Sequence, residues 1–338
     1  MEKFKSFITE QKDEPYRMVV LIHDTKDEPD ITGKRIKEEA EKQNLECYRV
    51  ELDGAYSTRV ENKRYIHSRK DKKGFLVDPN NTMVFVRGSV TDKKSWSDLV
   101  TQFERDNIVC VNSRHCFEIC SDKFRTSLFL ADNNFRQPKT VLINHKEDAI
   151  QSFKRLDTDF PVILKTLEGS MGIGVIMVEN ESALNATVQL SYKLDPKTDL
   201  LLQEYIETDF DVRVIVLNGE VHGAIKRPIA KDDFRSNVSQ GSIPESFELT
   251  ELEKQECIKA AKLVDGIWCG TDFIPSKDRE KDKPIFIEIN SSPGTEGYEK
   301  ATGENLVNDV INQFKNKDNW LRPKPFRSIY GDNNENKK

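Results

Sequence analysis

The sequence predicts an α/β protein whose C-terminal part turns to α+β, and three observations carry that prediction. Strand-like and helix-like segments alternate up to about residue 113. From about residue 160 a glycine-rich turn and a hairpin signal join successive strand-like runs. The stretch "PIFIEINSSPG", 284–294, ends an oily strand in oxygen-bearing side chains. Alternation implies a parallel sheet covered on both faces, whereas tight hairpins imply antiparallel pairing.

Each element has its own signal. "RMVVLIHD" (17–24) reads as a buried strand, "TGKRIKEEAEKQN" (32–44) as a helix and "ECYRVEL" (46–52) as the next strand. "NTMVFVRGS" (81–89), "KSWSDLVTQFERDN" (94–107) and "IVCVNS" (108–113) repeat the strand–helix–strand order. The polar run 54–79 is long for a loop in a compact domain, so it is a hairpin or a functional flap. Residues 114–133 read as a helix, 138–144 as a strand and 146–156 as a helix. "FPVILKTLEG" and "GVIMVEN" are two strands joined by glycines, and "DLLLQEYIE" is a third. In "FDVRVIVLNGEVHGAIKRPIA", Asn218-Gly219 is a strong hairpin signal that sets Asp211 opposite Lys226 if the register runs unbroken. An amphipathic helix follows (250–265), then "GTDFI" and the 284–294 strand. There Glu288 and Asn290 share one face with Phe286, while Ile285, Ile287 and Ile289 take the other. The implied division is an N-terminal domain (1–113), a central small lobe (114–200), a C-terminal lobe (201–320) and a polar tail (321–338).

Composition narrows the function. The 338 residues are 36% hydrophobic and 33% charged, with a net charge of −6, which disfavours a nonspecific nucleic-acid binder. The basic run 62–73 reads as a solvated loop, with contact to an acidic substrate as the lesser alternative. The six cysteines form no C-x-x-C pair and stand at no zinc spacing. With no secretory pattern and no apolar run long enough for a bilayer, free thiols in a reducing cytoplasm are expected.

Two features carry chemistry. "EGSMGIGV" (168–175) holds Gly169, Gly172 and Gly174, and glycines let backbone N–H groups approach phosphates. It fits neither a Walker A loop nor a dinucleotide fingerprint, because a strand follows instead of a helix. A flexible hairpin turn is the plain alternative. Lys165, at the end of apolar "VILK", favours phosphate binding, since a buried ammonium needs a counter-charge. The second feature is Asp272 with Glu288 and Asn290, hard oxygen donors suited to Mg²⁺; surface carboxylates on an edge strand are the alternative.

Taken in order, Lys165, "EGSMGIGV", "LLQEYIE", "FDVRVIV", "IKRPIAKDDFRSN", "GTDFI" and "IEINSSPGTEGYEKATG" resemble the ATP-grasp ligases, and most of all the RimK-like α-L-glutamate ligases. The resemblance spans roughly 108–312. It implies an ATP-grasp fold with two lobes clasping ATP. Lys123 and Lys165 would hold phosphates beneath the glycine loop. Glu204, Tyr205 and Ile206 would cradle adenine, and Asp211 would take the ribose hydroxyls. Arg227, Arg235, Ser236 and Asn237 would line the reacting end, with Arg227 and Lys165 neutralising charge. Asp272, Glu288 and Asn290 would bind magnesium or manganese, two ions being expected. Without the resemblance, Lys123 reads as a surface lysine, Asp211 as half of a cross-strand ion pair, and Arg213 and Arg227 as balancing nearby acids. "VSQGSIPES" after Asn237 departs from the basic, glycine-rich continuation of the family, which leaves the acceptor open. The implied reaction is amide formation through an acyl phosphate, adding L-glutamate or a similar amino acid to the C-terminus of a peptide or protein. A small-molecule peptide ligase and a non-catalytic ATP-binding scaffold are the alternatives. Neither nucleic acid nor membrane is expected as a partner, and a homo-oligomer is compatible with the chain.

Overall fold

A computed structural model describes residues 17–23, 29–69, 74–88, 90–167, 174–229 and 243–320. Its contacts divide the chain into two compact units, 1–114 with 305–338, and 115–304.

In the first unit, β1 (Arg17–Ile22), β2 (Glu46–Glu51), β6 (Thr82–Val86) and β7 (Val109–Val111) form a parallel sheet in the order β2-β1-β6-β7. Met18, Val19, Val20 and Leu21 are fully buried, which is why the segment reads as a continuous apolar run. Helices α1 (Ile31–Lys42) and α2 (Lys94–Arg105) connect the strands. Asp30 caps α1 by accepting from the Gly33 N–H at 3.0 Å.

The run 54–79 is a small antiparallel sheet, β3 (Tyr56–Val60), β4 (Lys63–His67) and β5 (Phe75–Val77). Glu61 and Asn62, both at positive φ, make its two-residue turn. Within the basic run, Arg64 is engaged by Asp106 at 2.6 Å, a structural use of its charge. Residues 70–73 lie outside the described residues.

The last described α-helix, α9 (Leu306–Lys315), which follows α8 (Glu296–Thr302) along the chain, packs on α1 of this same unit. The Gln43 amide donates to Asn308 at 3.0 Å, and Phe314 meets the edge of Phe85 at 6.0 Å. Residues 305–315 therefore complete the first unit, not the C-terminal lobe to which the sequence reading assigned them. The tail 321–338 is outside the described residues.

The second unit opens with two helices where one long helix was expected, α3 (Arg114–Cys120) and α4 (Lys123–Asp132). Asp122 interrupts the run and caps α4 through the Arg125 N–H at 2.8 Å. Two antiparallel sheets follow. The first has the order β10-β9-β11-β8: β8 (Thr140–Ile143), β9 (Val162–Thr166), β10 (Val175–Val178) and β11 (Leu200–Glu204). Helices α5 (Ala149–Leu156) and α6 (Glu181–Leu194) share its core through Leu156, Leu184 and Val188. Since β11 pairs with β8 and β9, residues 200–204 belong to this smaller sheet, and the change of sheet falls after Glu204 instead of at 200.

The second sheet has the order β14-β13-β12-β15-β16: β12 (Phe210–Leu217), β13 (Glu220–Pro228), β14 (Glu245–Ser246), β15 (Trp268–Ile274) and β16 (Ile285–Asn290). Val212, Val214 and Val216 alternate toward a core shared with Cys257 and Ala260 of α7 (Glu251–Leu263) and with Val264 just past its end. Thr250 and Glu253 form a capping box on α7.

Candidate active site

The hairpin turn forms where the sequence puts it, with Asn218 at φ 54° and Gly219 at φ 83°. A bulge between Ile215 and Val216 then shifts the register by one residue. Asp211 consequently faces Arg227, and Val212 faces Lys226. The expected Asp211–Lys226 pairing is replaced by a fork: Arg227 Nε donates to Asp211 Oδ1 at 2.7 Å and Nη2 to Oδ2 at 2.6 Å.

A second bulge, between Asp272 and Phe273, changes the parity of β16. Phe286 lies in the hydrophobic core with Ile289, where it meets Phe135 at 5.1 Å, so it does not share a face with Glu288 as alternation predicted. Phe273 pairs with Phe286 and Asp272 with Glu288, so Ile287 is the extra residue.

The two bulges together produce a row of charges across four strands. Asp211 and Arg213 share a face of β12, Arg227 comes from β13, Asp272 from β15 and Glu288 from β16. Arg213 Nε donates to Asp272 Oδ1 at 2.8 Å and Nη2 to Oδ2 at 2.6 Å. Arg227 Nη2 reaches the same Oδ2 at 2.9 Å. Arg213 Nη2 also stands 3.6 Å from Glu288 Oε1.

Burial opposes the charge on Asp272, but Arg213 and Arg227 overcome it and hold the carboxyl down at about 2. Glu288 moves the other way: burial and the neighbouring Asp272 charge push its pKa up, and the arginines only partly offset them. Asp272 and Glu288 are thus like charges directly opposite one another, with the Arg213 guanidinium as the cation that faces both. Asn290 adds an amide oxygen on the Glu288 face and accepts from the Ser292 N–H at 3.0 Å. Two carboxylates and an amide oxygen are hard donors, so the residues present fit a magnesium ion.

On the smaller sheet, burial pushes the Lys165 pKa down to about 8; Lys123 adds to that effect and Glu288 opposes it. Among the described residues its ammonium reaches no carboxylate at ion-pair distance and donates instead to Gln203 Oε1 at 2.6 Å. The Gln203 amide in turn donates to Thr140 Oγ1 at 3.0 Å. Lys123 opens α4 with its backbone N–H on the Leu167 carbonyl at 3.1 Å and its ammonium 3.4 Å from the same oxygen. It therefore stands beside Leu167, the last described residue before the glycine segment, and is half-buried, unlike an ordinary surface lysine. Gly174 takes a positive φ of 76°, and a Cβ there would meet Thr166 Oγ1 at 2.4 Å. Gly169, Gly172, Arg235, Ser236 and Asn237 lie outside the described residues.

Glu204, Tyr205 and Ile206 follow one another out of β11. The Glu204 N–H donates to the Lys139 carbonyl at 2.9 Å, and its carboxylate accepts from the Lys139 N–H at 3.1 Å. Tyr205 and Ile206 have no backbone hydrogen bond to another described residue, which leaves their amide groups open to a heterocycle. The expectation that Asp211 takes ribose hydroxyls meets a different geometry. The residue is 5% exposed with both oxygens on Arg227, so here it orients that guanidinium. Sequence reasoning passed over Gln203, and it treated Arg213 only as a balancing charge. The available signal was position: Arg213 lies two residues from Asp211 on one strand face, and Gln203 interrupts an apolar strand beside Lys165.

One unit thus carries Lys165 on its first antiparallel sheet, Lys123 at the start of α4 and a carboxylate–arginine row on its second sheet, a set of charges suited to phosphates and a divalent ion. Residues 120–314 match the family model of the RimK-like ATP-grasp domain. The chain is 34% identical over 218 residues to a probable α-L-glutamate ligase of Vibrio atlanticus, covering 64% of this chain and 70% of that one. It is also 34% identical over 215 residues to a probable α-L-glutamate ligase of Coxiella burnetii, covering 63% and 69%. Among solved structures it is similar to the ATP-grasp ligase PsnB complexed with a minimal precursor, at TM-score 0.64, 18% identity and coverage of 88% and 97%. A D-alanine–D-alanine ligase of Bacillus anthracis complexed with ATP gives TM-score 0.60 at 17% identity, covering 83% and 88%. The chain belongs to the RimK-like ATP-grasp family and is a carbon–nitrogen ligase. Among the described residues, no helix is long and apolar enough to cross a membrane.

Proposed function

We propose that this ligase adds L-glutamate, or a similar amino acid, to the C-terminal carboxylate of a peptide or protein. The observation that supports it most is the row Arg227–Asp272–Arg213–Glu288, in the same unit as Lys165 and Lys123. A carboxylate is a poor electrophile, because its charge is delocalised and it has no good leaving group. Transfer of the ATP γ-phosphoryl group to it creates an acyl phosphate and ADP. Attack by the amino acid's nitrogen then forms the amide and expels phosphate. Such transfer depends on positioning and charge neutralisation, not on an enzyme nucleophile.

The residues divide this work. Lys123 and Lys165 hold phosphates, and the Gln203 amide keeps the Lys165 ammonium aimed. The open backbone of Tyr205 and Ile206, with Glu204, takes adenine. Asp211 orients Arg227, whose guanidinium neutralises charge developing on the transferred group. Asp272, Glu288 and Asn290 would hold magnesium, which when bound would neutralise phosphate charge. Gly169, Gly172 and Gly174 would let backbone N–H groups approach the phosphates closely. Arg235, Ser236 and Asn237 take the acceptor. Manganese as a substitute, a second ion, a homo-oligomer and a cytoplasmic location belong to this reading as well.

The test is a panel of amino acids crossed with peptides of different C-termini, in the presence of ATP and magnesium. Products are read by mass and turnover by ADP release. A glutamate-sized mass increment on the peptide C-terminus supports the proposal. Increments confined to small-molecule acids, or ADP release that ignores both substrates, overturn it.

A further inference from the structure

The charge row poses a problem of order. Asp272 is the carboxylate a divalent ion needs, yet both of its oxygens accept from Arg213, and one accepts from Arg227 as well. Its side chain is 3% exposed and that of Arg213 18%, so this is an ion pair withdrawn from water, not a loosely solvated one. The row holds three carboxylates, Asp211, Asp272 and Glu288, against two guanidiniums, Arg213 and Arg227. Its formal charge is one negative, which attracts a divalent ion only weakly. Arg227 is committed to Asp211 by two short bonds, whereas Arg213 spends its fork on Asp272 and leans toward Glu288 at 3.6 Å.

We infer that Arg213 is an internal counter-cation that withholds Asp272 from divalent metal until nucleotide arrives, so that metal and nucleotide bind as a coupled pair. This rests on the metal-site reading given above and adds to it a direction of control. The physical cause is competition for the same oxygens: a guanidinium fork matches both carboxylate oxygens at once. Incoming phosphates supply Arg213 with new anionic partners, and Asp272 becomes available to the ion that arrives with them. Coupling of this kind is reciprocal. The factor by which nucleotide strengthens metal binding equals the factor by which metal strengthens nucleotide binding.

The experiment measures Mn²⁺ binding by the full chain, using calorimetry and the paramagnetic resonance signal of free Mn²⁺. It is run with and without a non-hydrolysable ATP analogue, on wild type, Arg213→Gln and Arg213→Lys. The expected result in wild type, after the Mn²⁺ held by the analogue in protein-free controls is subtracted, is weak Mn²⁺ binding alone and strong binding with the analogue. Arg213→Gln should raise nucleotide-free Mn²⁺ affinity at least about tenfold, equivalent to about 1.4 kcal/mol. It should also shrink the coupling factor by the same amount, read equally from both legs of the cycle. Arg213→Lys keeps the charge but loses the fork and should fall between the two. Unchanged or weaker nucleotide-free Mn²⁺ affinity in Arg213→Gln, with a folded protein by circular dichroism, overturns the inference. If Arg213→Gln does not fold, Arg213→Lys decides: affinity equal to wild type overturns it. Glu288→Gln added to Arg213→Gln separates the two ideas, because nucleotide-free Mn²⁺ affinity that survives the added substitution removes the metal site itself.

Discussion

Lys165→Met should make the nucleotide-free protein more stable while impairing ATP binding. An ordinary lysine titrates at 10.5, and burial brings Lys165 down to about 8. That gap corresponds to about 3 kcal/mol of cost for keeping the ammonium charged inside the fold. Methionine fills a similar volume without charge, but forfeits the hydrogen bond to Gln203, worth about 1 kcal/mol. The net gain of about 2 kcal/mol, in a unit spanning 115–304, raises Tm by roughly 4–8 °C. The pH dependence has a fixed sign. Below about 8 the folded and unfolded states are both protonated and wild type bears the whole cost. Between about 8 and 10.5 the folded state releases its proton first, so wild type gains stability as pH rises and the advantage of methionine disappears. Thermal melts of both proteins from pH 7 to 10 read this directly. ATP should raise the wild-type Tm and leave that of the variant nearly unmoved. A variant that melts below wild type at pH 7, with an unaltered ATP titration, would refute both the burial cost and the phosphate role.

Glu288→Gln removes a like charge opposite Asp272 and should be neutral or stabilising by roughly 0.2–1 kcal/mol, while ADP release collapses; release at the native rate would count against the metal role. Arg227→Met leaves Asp211 and Asp272 short of a buried partner and should destabilise by about 3–5 kcal/mol, seen as a lower denaturant midpoint. Gly174→Ala imposes a side chain at φ 76° and a clash with Thr166, so it should weaken ATP binding far more than it lowers Tm, which paired titrations and melts would reveal.

The parallel sheet was legible because Val19 to Leu21 and Val84 to Val86 are apolar on both faces, a pattern few other settings require. Asn218-Gly219 was legible for a local reason, since two successive positive φ values select those residues. The hairpin within 56–67 was less legible because its turn uses Glu61-Asn62, a pair with no strong turn signature. Docking of α9 on α1 was not legible at all. An amphipathic helix announces that it has an apolar face, not which surface will cover it. Lys165 and the acidic strand end were visible as chemistry set into apolar strands. Gln203 was visible only as a polar break in an apolar strand, and its role was not legible because it is defined by a cross-strand neighbour, Lys165, thirty-eight residues away.

The two bulges explain why one sheet can carry a dry core and a charged row at once. Without the bulge at Ile215/Val216, Asp211 would face Lys226, whose flexible single ammonium gives no fixed fork, and Arg227 would not reach Asp272 in the present geometry. Without the bulge at Asp272/Phe273, strict alternation would turn Phe286 toward Glu288 and withdraw it from the cluster of Phe135, Phe273 and Ile289. Each inserted residue changes parity, so that large apolar side chains return to the core while acids stay in line on the other face. A bulge has no dedicated residue code here: His222 and Ile287 look like ordinary strand residues, and only the simultaneous demands of the two faces select the irregular pairing. The desolvation cost of five clustered charges is therefore met by the opposite face of the same strands, where Val212, Val214, Val216, Phe273 and Ile289 pack against α7 and its neighbours.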